Sequence, residues 1–235
     1  MGLDIYAGPL TRYYSRNWKT IVQQYAEENG LDYKTVRPET TDDNITDPAE
    51  VQEIIEAWRD NLADALKEHT PAKINWKEDN DSSYHTLKPG WDGYGAVILW
   101  ALYNDQQRNA PAEFNENWTD DEAFVKSQED GYETNYPNIT QDCEFWLPVN
   151  FDFTFRYADP TGNEVGIGSS IKFFEDLKTL NDNTWKANDK SIADWKMTID
   201  PNTESFEEKA RYGFSVLFDI VQFSSEHKTP VKLDY

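Results

Sequence analysis

Cysteine is nearly absent from this chain. A single thiol, Cys143, excludes an intrachain disulfide and any zinc or iron–sulfur site built from several cysteines. The three histidines, His69, His85 and His227, lie far apart, and no HExxH pattern joins them. No run of about 18 apolar residues occurs, so no transmembrane helix is expected. The opening MGLDIYAGPL holds an acid and no basic stretch, unlike a secretory signal. Met1-Gly2 begins as a myristoylation motif does, but that motif wants Ser or Thr where this chain has Tyr6. These absences together point to a reducing, cytoplasmic setting, most simply a bacterial one.

Positive charge is also scarce. Lys and Arg number 22 against 44 Asp and Glu, a net charge of −22 over 235 residues. Nucleic-acid binders need a basic footprint, and anionic membranes repel such a surface, so both partner classes are disfavoured. A basic protein or metal ions fit better, and plain solubility is the simplest alternative. Leu, Ile, Val and Phe make up only 48 of 235 residues, near the roughly 20% level where disorder sets in. The aromatics decide for folding. There are 9 Trp, 13 Tyr and 12 Phe, and each buries about 150–250 Å² when packed. Disordered chains are poor in such residues.

Along the chain, Leu3 and Ile5 before Gly8-Pro9 predict a short strand and turn. Tyr14, Trp18, Ile21, Val22 and Tyr25 at helical spacing predict one helix that Gly30 caps. Residues 37–47 are polar and turn-rich, hence a loop. Asp47, Pro48 and Glu50 form a strong helix start. The stripe Val51, Ile54, Ile55, Trp58, Leu62, Ala65 and Leu66 follows, with Pro71 as the stop. Residues 75–92 read as a loop. Gly93–Asn104 has no charge and reads as a buried helix, with a strand at 96–102 as the alternative. A short helix is expected near 119–130. Phe151, Phe153 and Phe155 alternate with polar residues as in a strand, and a turn at Asp159–Gly162 leads into a hairpin through Val165–Ile167. Helices are expected over 169–181 and 204–224, and a final strand at VKLDY. The fold class is therefore α+β: a mostly helical single domain over residues 1–235 with a small sheet, in which the terminal strands are candidate neighbours.

The segments Gly2-Leu3-Asp4-Ile5-Tyr6 and Thr11-Arg12-Tyr13-Tyr14, with weaker support from Pro230–Tyr235, give a start that resembles a group of small uncharacterised bacterial proteins. The resemblance covers a small part of the chain and implies no activity.

Five patterns invite chemistry. Arg12, Arg16 and Lys19 fall at i, i+4, i+7, one side of a helix, beside Tyr13, Tyr14 and Trp18. Arg12, Tyr14 and Arg16 are thus candidate ligand-binding residues for a small anion, through the planar guanidinium fork; the plain reading is that these bases pair with surplus acids. Asp152, Asp159 and Glu164 are candidate glycosidase acids at about 5–9 Å separation, a reading weakened by the missing export signal. Asp79-Asn80-Asp81-Ser82 begins like a calcium loop, but Tyr84 stands where Gly is needed and Gly90 where Glu is needed. Ser169-Ser170-Ile171-Lys172 matches S-x-x-K, yet a helix cap explains it more simply. The other candidate nucleophile of this fourth pattern, Cys143, sits between Asp142 and Glu144, which would raise its pKa and make it less reactive.

The fifth pattern is acidic. Residues 41–68 hold nine acids against Arg59 and Lys67. Among them Glu53, Glu56, Asp60 and Asp64 recur at three- and four-residue steps, giving one negative helix face. An ordinary solvated face is the bland account; a docking face for a basic partner is the sharper one. The sequence therefore leads us to expect an acidic cytoplasmic protein-binding protein with Glu53, Glu56, Asp60 and Asp64 as partner-binding residues. By analogy of composition, it fits an immunity protein that neutralises a basic bacterial toxin. The alternative is an enzyme or small-anion-binding protein built on the N-terminal Arg/Tyr cluster. No catalytic residue, metal or cofactor is assigned.

Overall fold

Alternation at the N-terminus builds the centre of the molecule. In the computed structural model, which describes residues 2–32 and 47–235, strand β1 (Asp4–Ala7) points Ile5 and Ala7, with Leu3 just before it, into one core and Tyr6 to the opposite side. The last strand, β6 (Val231–Asp234), runs antiparallel beside it with Ile5 opposite Leu233. The two terminal strands are thus neighbours. The remaining strands are β2 (His85–Leu87), β3 (Phe145–Leu147), β4 (Phe155–Ala158) and β5 (Glu164–Ser169). The sheet order is β2-β1-β6-β3-β5-β4. Only β3 and β5 pair in parallel. Mixed α+β architecture is the result, with nine α-helices and six strands among the described residues.

One face of the sheet carries α4 (Gly90–Asp105), α7 (Ser170–Asn183) and α9 (Phe206–His227). The uncharged run of α4 is buried almost all round, as its composition demands. Helices α4 and α9 approach closely because glycines meet: a Cβ on Gly213 would lie 2.1 Å from the Gly93 carbonyl oxygen. The opposite face carries α3 (Pro48–Leu66). Its Val51, Ile55, Trp58, Leu62 and Leu66 cover Phe145, Leu147, Val165 and Ile167. The Trp58 indole donates to the Ala158 carbonyl at 2.7 Å, which ties α3 to the edge strand β4.

Several expectations need correction. The single N-terminal helix is two, α1 (Leu10–Tyr14) and α2 (Ile21–Glu28). The break has a local cause: Arg16 adopts φ 60°, and Thr20 starts a new helix through a capping box with Gln23. The loop expected at 75–92 contains β2 and the first turn of α4. Phe151 and Phe153, expected in a strand, lie outside it, since β4 begins at Phe155; the three rings pack on each other instead. Of the helix expected near 119–130, the part observed is α5 (Glu122–Ser127), after a 3-10 turn. Two further helices, the short α6 (Pro137–Thr140) and α8 (Asp189–Thr198), add to those expected from the sequence. All of the loop expected at 37–47 except Asp47 lies outside the described residues, as do Asp42 and Asp43. No helix among the described residues is long and apolar enough to cross a membrane.

Candidate functional site

Helix α3 begins as its sequence dictates. Asp47 accepts a hydrogen bond from the Ala49 amide at 2.8 Å, and Pro48 occupies the first turn. Its 3.6-residue period then turns the apolar stripe inward and leaves Glu53, Glu56, Asp60 and Asp64 along the other side. Glu53, Asp60 and Asp64 are exposed, and Glu56 is half-buried. Among the described residues none of the four is in an ion pair. Glu56 accepts from Gln52 Nε2 at 3.0 Å. Arg59 does not neutralise this face. Its Nη1 donates to the Trp76 carbonyl at 2.6 Å and its guanidinium lies over the Trp76 ring. An open hollow of ≈ 530 Å³ at the C-terminal end of α3 mixes charges, its lining including Asp60, Lys67 and Lys73 with Ala63, Ala72 and Ile74. The chemistry this face offers most directly is electrostatic: four carboxylates along one side of a helix.

The N-terminal bases are arranged otherwise. Because Arg16 lies in the break between α1 and α2, Arg12, Arg16 and Lys19 do not line one helix face. Arg12 donates from Nε to the Asn17 carbonyl at 2.6 Å and from Nη1 to the Ser82 carbonyl at 2.9 Å, and stacks over Tyr84. Lys19 pairs with Glu27. Tyr14 donates its hydroxyl to Asp159 Oδ2 at 3.1 Å, and burial pushes its pKa up. Arg12 and Tyr14 therefore hold α1 to the loop at 82–84 and to the turn after β4.

Beneath α1 lies a buried polar network that the sequence did not signal beyond the alternation of VKLDY. Lys232 on β6 is 11% exposed, with Nζ 3.8 Å from Asp159 Oδ2, between the rings of Tyr13 and Phe145. Burial lowers its pKa, against the pull of Asp159, Glu144 and Asp234. Tyr13 donates to Asp234 Oδ1 at 2.6 Å. Glu78 accepts from the Leu10 and Thr11 amides and the Trp76 indole, capping α1 from a distant loop, and burial raises its pKa.

The other candidates resolve into structure. Asp159 is buried in its own turn, where its Oδ1 accepts from Thr161 and Asn163. Glu164 pairs with Arg156, and Asp152 is exposed. Ser169 caps α7, accepting from the Lys172 amide, and donates to the Val149 carbonyl at 2.6 Å. Burial, then Asp142, Asp176 and Glu144, push the Cys143 thiol far up. Asp79 closes a turn onto the Asp81 and Ser82 amides. No cluster of three or more potential metal ligands occurs among the described residues. No protein-family model, curated protein or solved structure matches the chain.

Proposed function

We propose that this is an acidic binding protein whose partner is a basic protein, docked on the outer face of α3. The observation that carries the reading is the row Glu53, Glu56, Asp60 and Asp64, which has no ion-pair partner among the described residues on a helix whose inner side is locked into the core. Such a row accelerates encounter with a cationic surface and selects against acidic ones. Within this class we propose an immunity role in the bacterial cytoplasm: occlusion of a basic toxin by carboxylates and aromatic anchors. The arrangement of Arg12 and Tyr14, whose polar groups are engaged within the fold, supports the anion-binding alternative less.

The test is capture of partners from an extract of the native host at low salt, repeated at high salt. One stoichiometric basic protein, released by salt and inhibited on binding, is the expected result. Capture of nothing, or of acidic proteins only, overturns the proposal.

A further inference from the structure

Two of the exposed large aromatic side chains touch each other. Trp91, in the first turn of α4, is 38% exposed, and Tyr235, just after β6, is 58% exposed. Their ring centroids lie 5.1 Å apart at 60°, an open corner. The fold holds both sides of it. The Gly90 amide donates to the Leu3 carbonyl, fixing the start of α4 on β1. The Leu233 amide donates to the Glu144 carbonyl, fixing the end of β6 beside the start of β3. Glu144 then stands at the corner, where its Oε2 accepts from the Tyr235 hydroxyl at 2.6 Å. Among the described residues Glu144 makes no ion pair and its other oxygen takes no hydrogen bond. The neighbouring Asp142 is occupied by Arg156 at 3.0 Å.

Exposed Trp and Tyr cost solvation, and at protein surfaces they are the residue types that anchor interfaces. Ring faces attract cations, and a carboxylate beside them adds charge complementarity. An aliphatic stem ending in a cation meets all three features. We propose that Trp91, Tyr235 and Glu144 form a receiving corner for a lysine or arginine side chain of a partner protein. This site is separate from α3 and does not depend on that reading. The negative field at the corner agrees with it: burial and Glu144 push the Tyr235 hydroxyl's pKa up.

The test is a titration of the whole protein with end-blocked Gly-Lys-Gly, Gly-Arg-Gly and Gly-norleucine-Gly, followed by the indole N–H resonances, with Trp91→Phe assigning the peak. The two cationic peptides should shift the Trp91 signal saturably and the norleucine peptide should not. Trp91→Leu, read on the Glu144-Tyr235 backbone amides, should weaken binding about two- to five-fold, the size of an exposed cation–π contact. Glu144→Gln, which keeps an acceptor for Tyr235, should weaken it by a similar factor. Replacing the four α3 acids by Lys should leave it unchanged. Linear, unsaturable shifts, equal binding of the norleucine peptide, or indifference to both corner variants would overturn the proposal.

Discussion

Asp176 offers a quantitative test of how the core is built. It lies on α7, 9% exposed, facing α6. Its Oδ2 accepts from the Asn138 amide at 2.8 Å and from Asn138 Nδ2 at 3.2 Å. Burial outweighs those bonds and raises its pKa from 3.8 to about 6. The sign follows. Between these values the folded chain holds a proton that the unfolded chain has released, so stability falls as pH rises through the window and stays reduced above pH 6. The difference between 3.8 and about 6 corresponds to about 3 kcal/mol at neutral pH. Asp176→Asn keeps an oxygen for both donors and removes the buried charge. The variant should be more stable than the parent at pH 7.5 by up to about 3 kcal/mol, with about half of that gain already present at pH 5. At about 2–4 °C per kcal/mol for a chain of this size, Tm rises by several degrees. Paired thermal melts from pH 5 to 8 give the difference directly. A difference that is flat with pH, or a variant less stable at pH 7.5, would show that the Asn138 bonds to the carboxylate balance or outweigh its desolvation and refute the reasoning.

Two further outcomes follow from close packing and capping. Gly213→Ala places a methyl 2.1 Å from the Gly93 carbonyl oxygen; the helices must part, and overpacking of this kind costs about 1–3 kcal/mol or more, readable as a lower urea midpoint. Glu78→Ala strands the Leu10 and Thr11 amides and the Trp76 indole, a loss of about 3 kcal/mol or more at about 1–3 kcal/mol per buried orphan group; amide exchange should show α1 opening first, and an unchanged α1 would remove Glu78 from its capping role.

Some of this architecture was legible in the residues. Asp47-Pro48 fixes a helix start by local chemistry, and the uncharged run of α4 has no place except a core. Leu3-Ile5-Ala7 and Val231-Leu233 alternate, so their strand character was readable, and the two strands do pair. The failures share a cause, which is that tertiary contacts overrode local pattern. The helical spacing from Tyr14 to Tyr25 continues across Arg16, yet Tyr6, Tyr13 and Trp18 cluster only if the chain turns there. Phe145–Leu147 is too short to announce itself as a strand, and its identity depends on β5 and β6. The acidic row on α3 was legible because a helix converts spacing into a face. The aromatic corner was not: Trp91, Glu144 and Tyr235 are distant in sequence, and only the sheet brings them together.

The most direct measurement on the central claim is the salt dependence of affinity for the captured partner. Kd is measured across a salt series for the parent and for the variant Glu53→Lys, Glu56→Lys, Asp60→Lys, Asp64→Lys. These four residues lie on the outer side of α3, away from its buried stripe, so the fold should persist, as a melt can verify. Docking on α3 predicts weaker binding by the variant and a flatter dependence of log Kd on log salt. The same affinity and the same slope in both proteins would place the partner elsewhere and contradict the account.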